Sequence, residues 1–252
     1  MNGKVTVTGM VIASMNLSES DRRVTILTKE RGKISAFARG ARRPTSMLMG
    51  CSQIFSFGEF VLYESRDGSF NVESADIRTS FAGVHDDLDK IYYGMYFCEF
   101  ALALTRENVN AKTELNLLYA ALRALEKGMM DRRLIRIVFE LRFLTENGEM
   151  PETYRCMKCG KELIDEEHVL FNAKEGGFIC MNCSGGMSGV PASRSTVYSM
   201  QFIVSTPLDR LFSFNVADNV LKELEAVRRA HTGTYAGYHF KTEEMLDIFS
   251  EQ

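Results

Sequence analysis

Arg22-Arg23-Val24-Thr25-Ile26-Leu27-Thr28-Lys29-Glu30-Arg31-Gly32-Lys33-Ile34-Ser35-Ala36-Phe37-Ala38-Arg39-Gly40-Ala41-Arg42-Arg43 carries eight cations against a single anion, Glu30. It also contains two β-type runs, Arg23 to Thr28 and Lys33 to Arg39, joined by Lys29-Glu30-Arg31-Gly32, whose glycine suits a positive-φ turn position. In the second run, strand alternation puts Lys33, Ser35, Phe37 and Arg39 on one face and Ile34, Ala36 and Ala38 on the other. The small apolar set makes a core face. The other set surrounds an aromatic ring with cations, a combination that holds single nucleic-acid strands by phosphate attraction and base stacking.

Working outward, Val5 to Ala13 reads as a first strand, and Gln53 to Glu64 with Phe70 to Ile77 as a second hairpin across Arg66-Asp67-Gly68. Five short strands within residues 4–79 fit an OB-type barrel, with an SH3-like barrel of similar strand count as the alternative. Beyond residue 85 the apolar period becomes helical. Leu88, Ile91, Met95, Cys98 and Leu102 form one stripe, and Leu115, Leu118, Leu122 and Leu125 a second. A third helix starts at Asp131 as N-cap, runs through Leu134, Ile137, Val138, Leu141 and Leu144, and stops at Asn147-Gly148 before Pro151. Residues 195–205, 208–213, 216–230 and 241–249 read as further helices.

Of six cysteines, four form two knuckles, Cys156-Met157-Lys158-Cys159 and Cys180-Met181-Asn182-Cys183. This spacing predicts a four-cysteine zinc ribbon, with Gly160 and Ser184-Gly185-Gly186 allowing the tight turns around sulfur. Disulfides or a redox pair would need an oxidising compartment or a βαβ context that the sequence lacks. Four thiolates leave no open coordination position, so the zinc is expected to be structural, with His168 a loop residue rather than a ligand. Cys51 and Cys98 read as small hydrophobes.

The 252 residues are 45% hydrophobic and 25% charged, and no segment approaches the ~18 consecutive apolar residues of a membrane helix. The first residues alternate apolar and polar, unlike a signal peptide, so we expect a cytoplasmic protein with no membrane partner. The net charge of −3 conceals an asymmetry: residues 1–80 are net positive and the remainder net negative. The positive block, extended by Arg42 and Arg43 at the barrel rim, predicts a polyanion surface. Arg132, Arg133, Arg136 and Arg142 alternate with core positions and read as a salt-bridged helix face. Phosphate-loop, dinucleotide, G-x-S-x-G and H-E-x-x-H motifs are absent, and no H-x-E precedes the first knuckle, so no enzyme is expected. A carboxylate-metal nuclease would have to use Asp86-Asp87-Leu88-Asp89, which reads better as the dipole-favoured start of a helix.

Several short motifs in order carry a family likeness: Glu19-Ser20-Asp21-Arg22, Leu27-Thr28-Lys29-Glu30-Arg31-Gly32, Ala38-Arg39-Gly40-Ala41-Arg42-Arg43, Tyr96-Phe97-Cys98-Glu99-Phe100, Phe139-Glu140-Leu141-Arg142, Asn147-Gly148, the two knuckles, and Tyr238-His239-Phe240-Lys241-Thr242. On these the chain resembles the RecO family of bacterial DNA repair and recombination mediators. The resemblance implies an α+β protein: a five-stranded OB-fold nucleic-acid-binding domain at 1–80, a helical domain at 81–252, and a zinc ribbon inserted at 154–186. It also implies a nucleoid-associated protein that binds single- and double-stranded DNA, anneals complementary strands without ATP, and works with RecR to load RecA onto strands coated by single-strand-binding protein. Arg22, Arg23, Lys33, Phe37, Arg39, Arg42 and Arg43 would contact DNA, and Cys156, Cys159, Cys180 and Cys183 would hold Zn2+. Family members usually end the last motif in Lys-Ser, where this chain has Lys241-Thr242. The competing functional reading is a zinc-ribbon, RNA-binding adaptor of transcription or translation.

Overall fold

The computed structural model describes residues 3–250, the side chains of 247–250 excepted. The first strand, β1 (Gly3–Asn16), is longer than the sequence suggests. Its first part pairs with β4 (Phe57–Glu64) and its second with β2 (Arg22–Thr28), the change of partner being accompanied by a bulge between Val11 and Ala13. The barrel is completed by β3 (Gly32–Ala38) and β5 (Phe70–Thr79), which close it through a short parallel pairing, Ala36 with Phe70 and Phe37 with Asn71. The order β1-β2-β3-β5-β4 is a closed five-stranded barrel with the long bent first strand of an OB-fold, which strand counting alone could not separate from an SH3-like barrel. Val7, Val24, Ile26, Ile34, Ala36, Phe60 and Leu62 fill its interior. The alternation read from the sequence holds on β3, where Ile34, Ala36 and Ala38 are buried and Lys33, Ser35 and Phe37 face outward.

Gly32 is required where it stands. Its φ is +63°, and a Cβ there would lie 1.9 Å from the Arg106 carbonyl oxygen. That approach seats the β2–β3 turn on the segment around Arg106, where Lys33 N–H donates to Arg106 O (3.2 Å) and Asn108 N–H to Arg31 O (2.8 Å).

The chain divides into two compact units, one of residues 1–127 and 240–252, the other of 128–239. Residue 80 is where strands give way to helices, and it lies inside the first unit. That unit contains the barrel, the single turns α1 (Leu48–Cys51) and α2 (Ala82–His85), then α3 (Leu88–Leu104) and α4 (Lys112–Lys127). Asp87 caps α3 by accepting from the Lys90 amide, as the acidic cluster suggested. The apolar stripe of α4 is buried as read, but that of α3 is so only at Cys98: Leu88 is 59% exposed and Met95 is exposed too, and the buried face is Tyr93, Tyr96, Phe97, Cys98, Phe100 and Ala101. The physical reason is that α3 is apolar on nearly every side, so periodicity offers no way to choose the inward face.

The second unit opens with α5 (Arg132–Glu146), capped by the Asp131 carboxylate on the Arg133 amide. Three strands, β6 (His168–Asn172), β7 (Gly177–Cys180) and β8 (Val190–Ser193), form a sheet in the order β7-β6-β8, so the sheet carrying one knuckle continues past residue 186. Helices α6 (Arg194–Ser205), α7 (Leu208–Leu211) and α8 (Asp218–Tyr235) follow. Arg136 and Glu140 of α5, read from the sequence as part of an exposed helix, are instead buried with Arg228 of α8. Arg142 pairs with Glu146 and also donates to the Ile203, Val204 and Thr206 carbonyls at the C-terminal end of α6.

The closing helix α9 (Lys241–Ser250) belongs to the first unit. Two of the motifs that carry the family likeness meet there. Phe240 stacks on Phe100 at 4.8 Å, and the Glu99 carboxylate accepts the Lys241 and Thr242 amides and the Thr242 hydroxyl. Burial works against the Glu99 charge, but these donors prevail and hold its carboxyl below the usual range. The anchor is therefore complete above the unfolded carboxylate range and is lost as pH falls through the lower folded value. Thr242→Val is expected to lower stability in urea unfolding by about 1 kcal/mol, while Thr242→Ser, which keeps the donor, stays near wild type.

Candidate nucleic-acid interface and metal centre

The β2–β3 hairpin distributes the basic block instead of gathering it. Arg22 faces Ala38 and Arg23 faces Phe37 at the open end, while Lys33 faces Leu27 near the turn. Seven-residue strands separate those ends by about 20 Å. At the turn the charges are already engaged: Lys33 Nζ donates to the Leu102 carbonyl (2.8 Å) at the C-terminal end of α3, and Arg31 pairs with Glu64. A cation is favoured there by the helix dipole, so Lys33 is engaged by the fold, although it lines the same hollow as Arg23, Met15 and Ser35.

The open end is different. A cross-strand row on the outer face runs Met15, Arg23, Phe37, Asn71 over β1, β2, β3 and β5. Arg23 Nε donates to Ser35 Oγ (2.8 Å), Arg39 Nε to Asn71 Oδ1 (3.0 Å), Arg42 Nη1 to the Ser18 carbonyl (2.6 Å), and Arg22 Nη1 to Ser52 Oγ (3.1 Å). Every one of these acceptors is neutral. Among the described residues, none of Arg22, Arg23, Arg39, Arg42 and Arg43 forms an ion pair with a carboxylate, so the side chains are oriented without a carboxylate in direct contact. The loop bearing Arg42 and Arg43 is fixed from the β1–β2 connection: Asp21 Oδ1 accepts the Gly40 amide (2.7 Å), and Arg42 N–H donates to Ser20 O (3.0 Å). The Gly40 amide is the main reason the Asp21 carboxyl lies below the usual range, with burial opposing, Ser20 and Ser18 assisting, and Arg39 contributing least. Asp21 and Asn71 were not singled out as site residues from the sequence. The turn-forming run Ser18-Glu19-Ser20-Asp21 offered a signal for the first; nothing marked the second, because its role arises from the parallel closure of the barrel.

In the second unit the four cysteine sulfurs lie within 4.8 Å of one another, with Cys159 Sγ and Cys180 Sγ 3.8 Å apart. A tetrahedral ion with Zn–S arms of about 2.3 Å has sulfur–sulfur edges of about 3.8 Å. None of the cysteines is disulfide-bonded. The Lys158 and Cys180 amides point at Cys156 Sγ (3.5 and 3.3 Å), and Gly160, at φ +73°, turns the first knuckle so that its amide reaches Cys156 O. Burial opposes ionisation of Cys156, yet the amides of Cys159, Cys180 and Lys158 bring its thiol down to about 6. Hydrogen bonds shared with Cys180 and Cys159 push Cys183 up to about 12. The amides alone thus favour one thiolate, and a divalent cation is what ionises a complete set. His168 is exposed on β6, outside the cluster. Cys51 and Cys98 are buried, and burial raises both thiols.

The fold and these two sites define an OB-barrel protein with a basic rim and a four-cysteine cluster arranged so that it could hold a metal ion. The family models described as Recombination protein O N terminal and Recombination protein O C terminal match residues 1–81 and 85–244. The chain is 35% identical over 226 residues to a DNA repair protein RecO of Acetivibrio thermocellus, covering 88% of each chain. It is 30% identical over 242 residues to that of an Exiguobacterium species, covering 96% of this chain and 94% of the relative, and 27% identical over 246 residues to that of Clostridium acetobutylicum, covering 97% of each. The chain belongs to the RecO family of DNA repair proteins. No helix among the described residues is long and apolar enough to cross a membrane.

Proposed function

We propose that this protein is a cytoplasmic, nucleoid-associated recombination mediator that binds single- and double-stranded DNA, anneals complementary strands without ATP, and helps load RecA with RecR onto strands coated by single-strand-binding protein. The observation carrying this reading is the set of guanidiniums at the open end of the barrel, each oriented on a neutral acceptor where one is made, and none ion-paired with a carboxylate among the described residues. Arg22, Arg23, Arg39, Arg42 and Arg43 are the phosphate contacts in this reading, with Phe37 a stacking platform between them. Complementary strands repel each other through their phosphates; a basic rim that neutralises both while leaving base edges free lowers the barrier to pairing, and no covalent step is needed. Membership of a DNA repair family favours this over an RNA-binding adaptor.

The metal in this reading is zinc, held by Cys156, Cys159, Cys180 and Cys183. Four thiolates saturate a tetrahedral ion, so its contribution is to the stability of the ribbon and not to a reaction. The test is an annealing assay with complementary labelled oligonucleotides and no nucleotide cofactor. The protein is expected to accelerate pairing over the spontaneous rate, and increasingly less so as salt is raised; a rate equal to the protein-free control at low salt would refute the reading.

A further inference from the structure

The same rim that holds the arginines also leaves large apolar side chains in water. Met15 is 59% exposed, Leu17 53%, Met47 91% and Met49 40%. Apolar side chains exposed singly are ordinary, but four gathered on one rim are not. The bonds that place the arginines gather them. Met15 is the cross-strand partner of Arg23. The Leu17 amide donates to Asp21 O (3.0 Å), next to the Ser18 carbonyl that orients Arg42. The Met49 carbonyl accepts Arg22 Nη1 (3.4 Å), and Met47 caps the same single turn, α1, that contains Met49.

Cations interleaved with apolar tips select among ligands. A membrane surface or a protein partner would satisfy the methionines but does not by itself explain a set of guanidiniums that pair with no carboxylate among the described residues. A duplex would satisfy the guanidiniums but keeps its bases stacked on one another. A single DNA strand offers both chemistries together, a charged backbone and flat apolar faces free to leave the stack. Apolar wedges of Leu and Met that contact unstacked bases are an established device of nucleic-acid binding, and the flexible thioether adapts to any base.

We infer that Leu17 and Met47, flanked by Met15 and Met49, form an apolar cap that receives unstacked bases of a single DNA strand whose phosphates lie on the neighbouring arginines. The inference rests on the reading of the rim as a DNA surface, and it adds a preference for single strands over duplex that charge alone does not supply. The guanidiniums set the salt dependence; the cap, together with Phe37, sets the discrimination.

The test compares wild type with the double variant Leu17→Gln, Met47→Gln in fluorescence anisotropy titrations. Three probes of equal length are used: a labelled single strand, its blunt duplex, and an abasic single strand that keeps the phosphates and lacks the bases. Wild type is expected to bind the base-bearing strand roughly tenfold more tightly than the abasic one, consistent with the contribution of one or two contacted bases. The double variant is expected to lose most of that difference, keeping only the share stacked on Phe37, while its duplex affinity and salt slope stay at wild-type values. Circular dichroism checks its folding, and the single variant Met47→Gln, altered at a nearly fully exposed position, stands in for it if folding is impaired. A double variant whose preference for base-bearing over abasic strands is undiminished, or that loses single-strand and duplex binding in parallel, overturns the cap. Failure of the underlying reading is seen separately: Arg42→Glu with Arg43→Glu would then leave binding to all three probes unchanged.

Discussion

Cys180→Ser is expected to release the bound metal and destabilise the second unit by several kcal/mol. Cys180 is buried, its sulfur lies 3.8 Å from that of Cys159, and its amide donates to Cys156 Sγ, so it joins the two knuckles of the cluster. Metal binding to such a site is folding free energy, with apparent values of about 10–16 kcal/mol in isolated four-ligand peptides, of which a ribbon supported by neighbouring helices depends on only part. Elemental analysis should find about one equivalent in wild type and almost none in the variant, and the thermal unfolding transition should move down. A chelator should lower the wild-type transition and leave the variant's unmoved. His168→Ala, altering an exposed residue outside the cluster, should retain the metal. Full metal content in Cys180→Ser would remove this residue from the site.

Glu140→Ala should cost about 3–5 kcal/mol, because it removes the buried carboxylate that two buried cations share. The carboxylate is fully buried; it accepts from Arg136 Nε (2.7 Å) and from the Thr232 hydroxyl (2.8 Å), and lies 3.4 Å from Arg228 Nη1. Burial is the largest influence on this carboxyl and opposes its charge, but Arg228 and then Arg136 outweigh it and hold it below the usual range. A depressed folded value means that the contribution is complete above the unfolded carboxyl range and disappears as pH falls through the folded value. Urea unfolding of wild type and Glu140→Ala should therefore differ most near neutral pH and converge in acid. Replacing Arg136, Glu140 and Arg228 together by apolar residues of similar volume should recover much of the loss, since the penalty comes from buried charge left without this carboxylate and not from absence of the pair. Equal unfolding curves for wild type and Glu140→Ala across pH would contradict the assignment.

The sequence was most legible where residue type and period agree. On β3 small or branched apolar residues alternate strictly with larger polar or aromatic ones, and the core face followed. The knuckles were legible because two turns with fixed spacing bring sulfurs together locally, almost independently of the rest of the chain. Helix α4, with charges confined to one side, also declared its buried face. Legibility failed where the pattern carried no contrast or where the partner is distant. The aromatic residues of α3 share one side and most of its aliphatic residues the other, so periodicity alone placed Leu88 inward when it is exposed. Arg136 looked like a surface cation because nothing in the sequence shows that α8 packs over it and brings Arg228 to the same carboxylate, Glu140. Lys33 is a similar case: sequence proximity grouped it with the rim arginines, but the β2–β3 turn delivers it to the C-terminal end of α3. Two family motifs read as separate signals, around Glu99 and around Thr242, turn out to be the two halves of one anchor.

The central claim, that the open end of the barrel grips sugar-phosphate chains, is tested most directly by the double variant Arg42→Glu, Arg43→Glu in anisotropy titrations of a labelled single strand over a salt series. Each lost phosphate contact lowers the slope of log K against log salt by about 0.7, so loss of both should make it shallower by about 1.4, with the greatest loss of affinity at low salt. Affinity and slope equal to those of wild type would place the DNA elsewhere on the molecule.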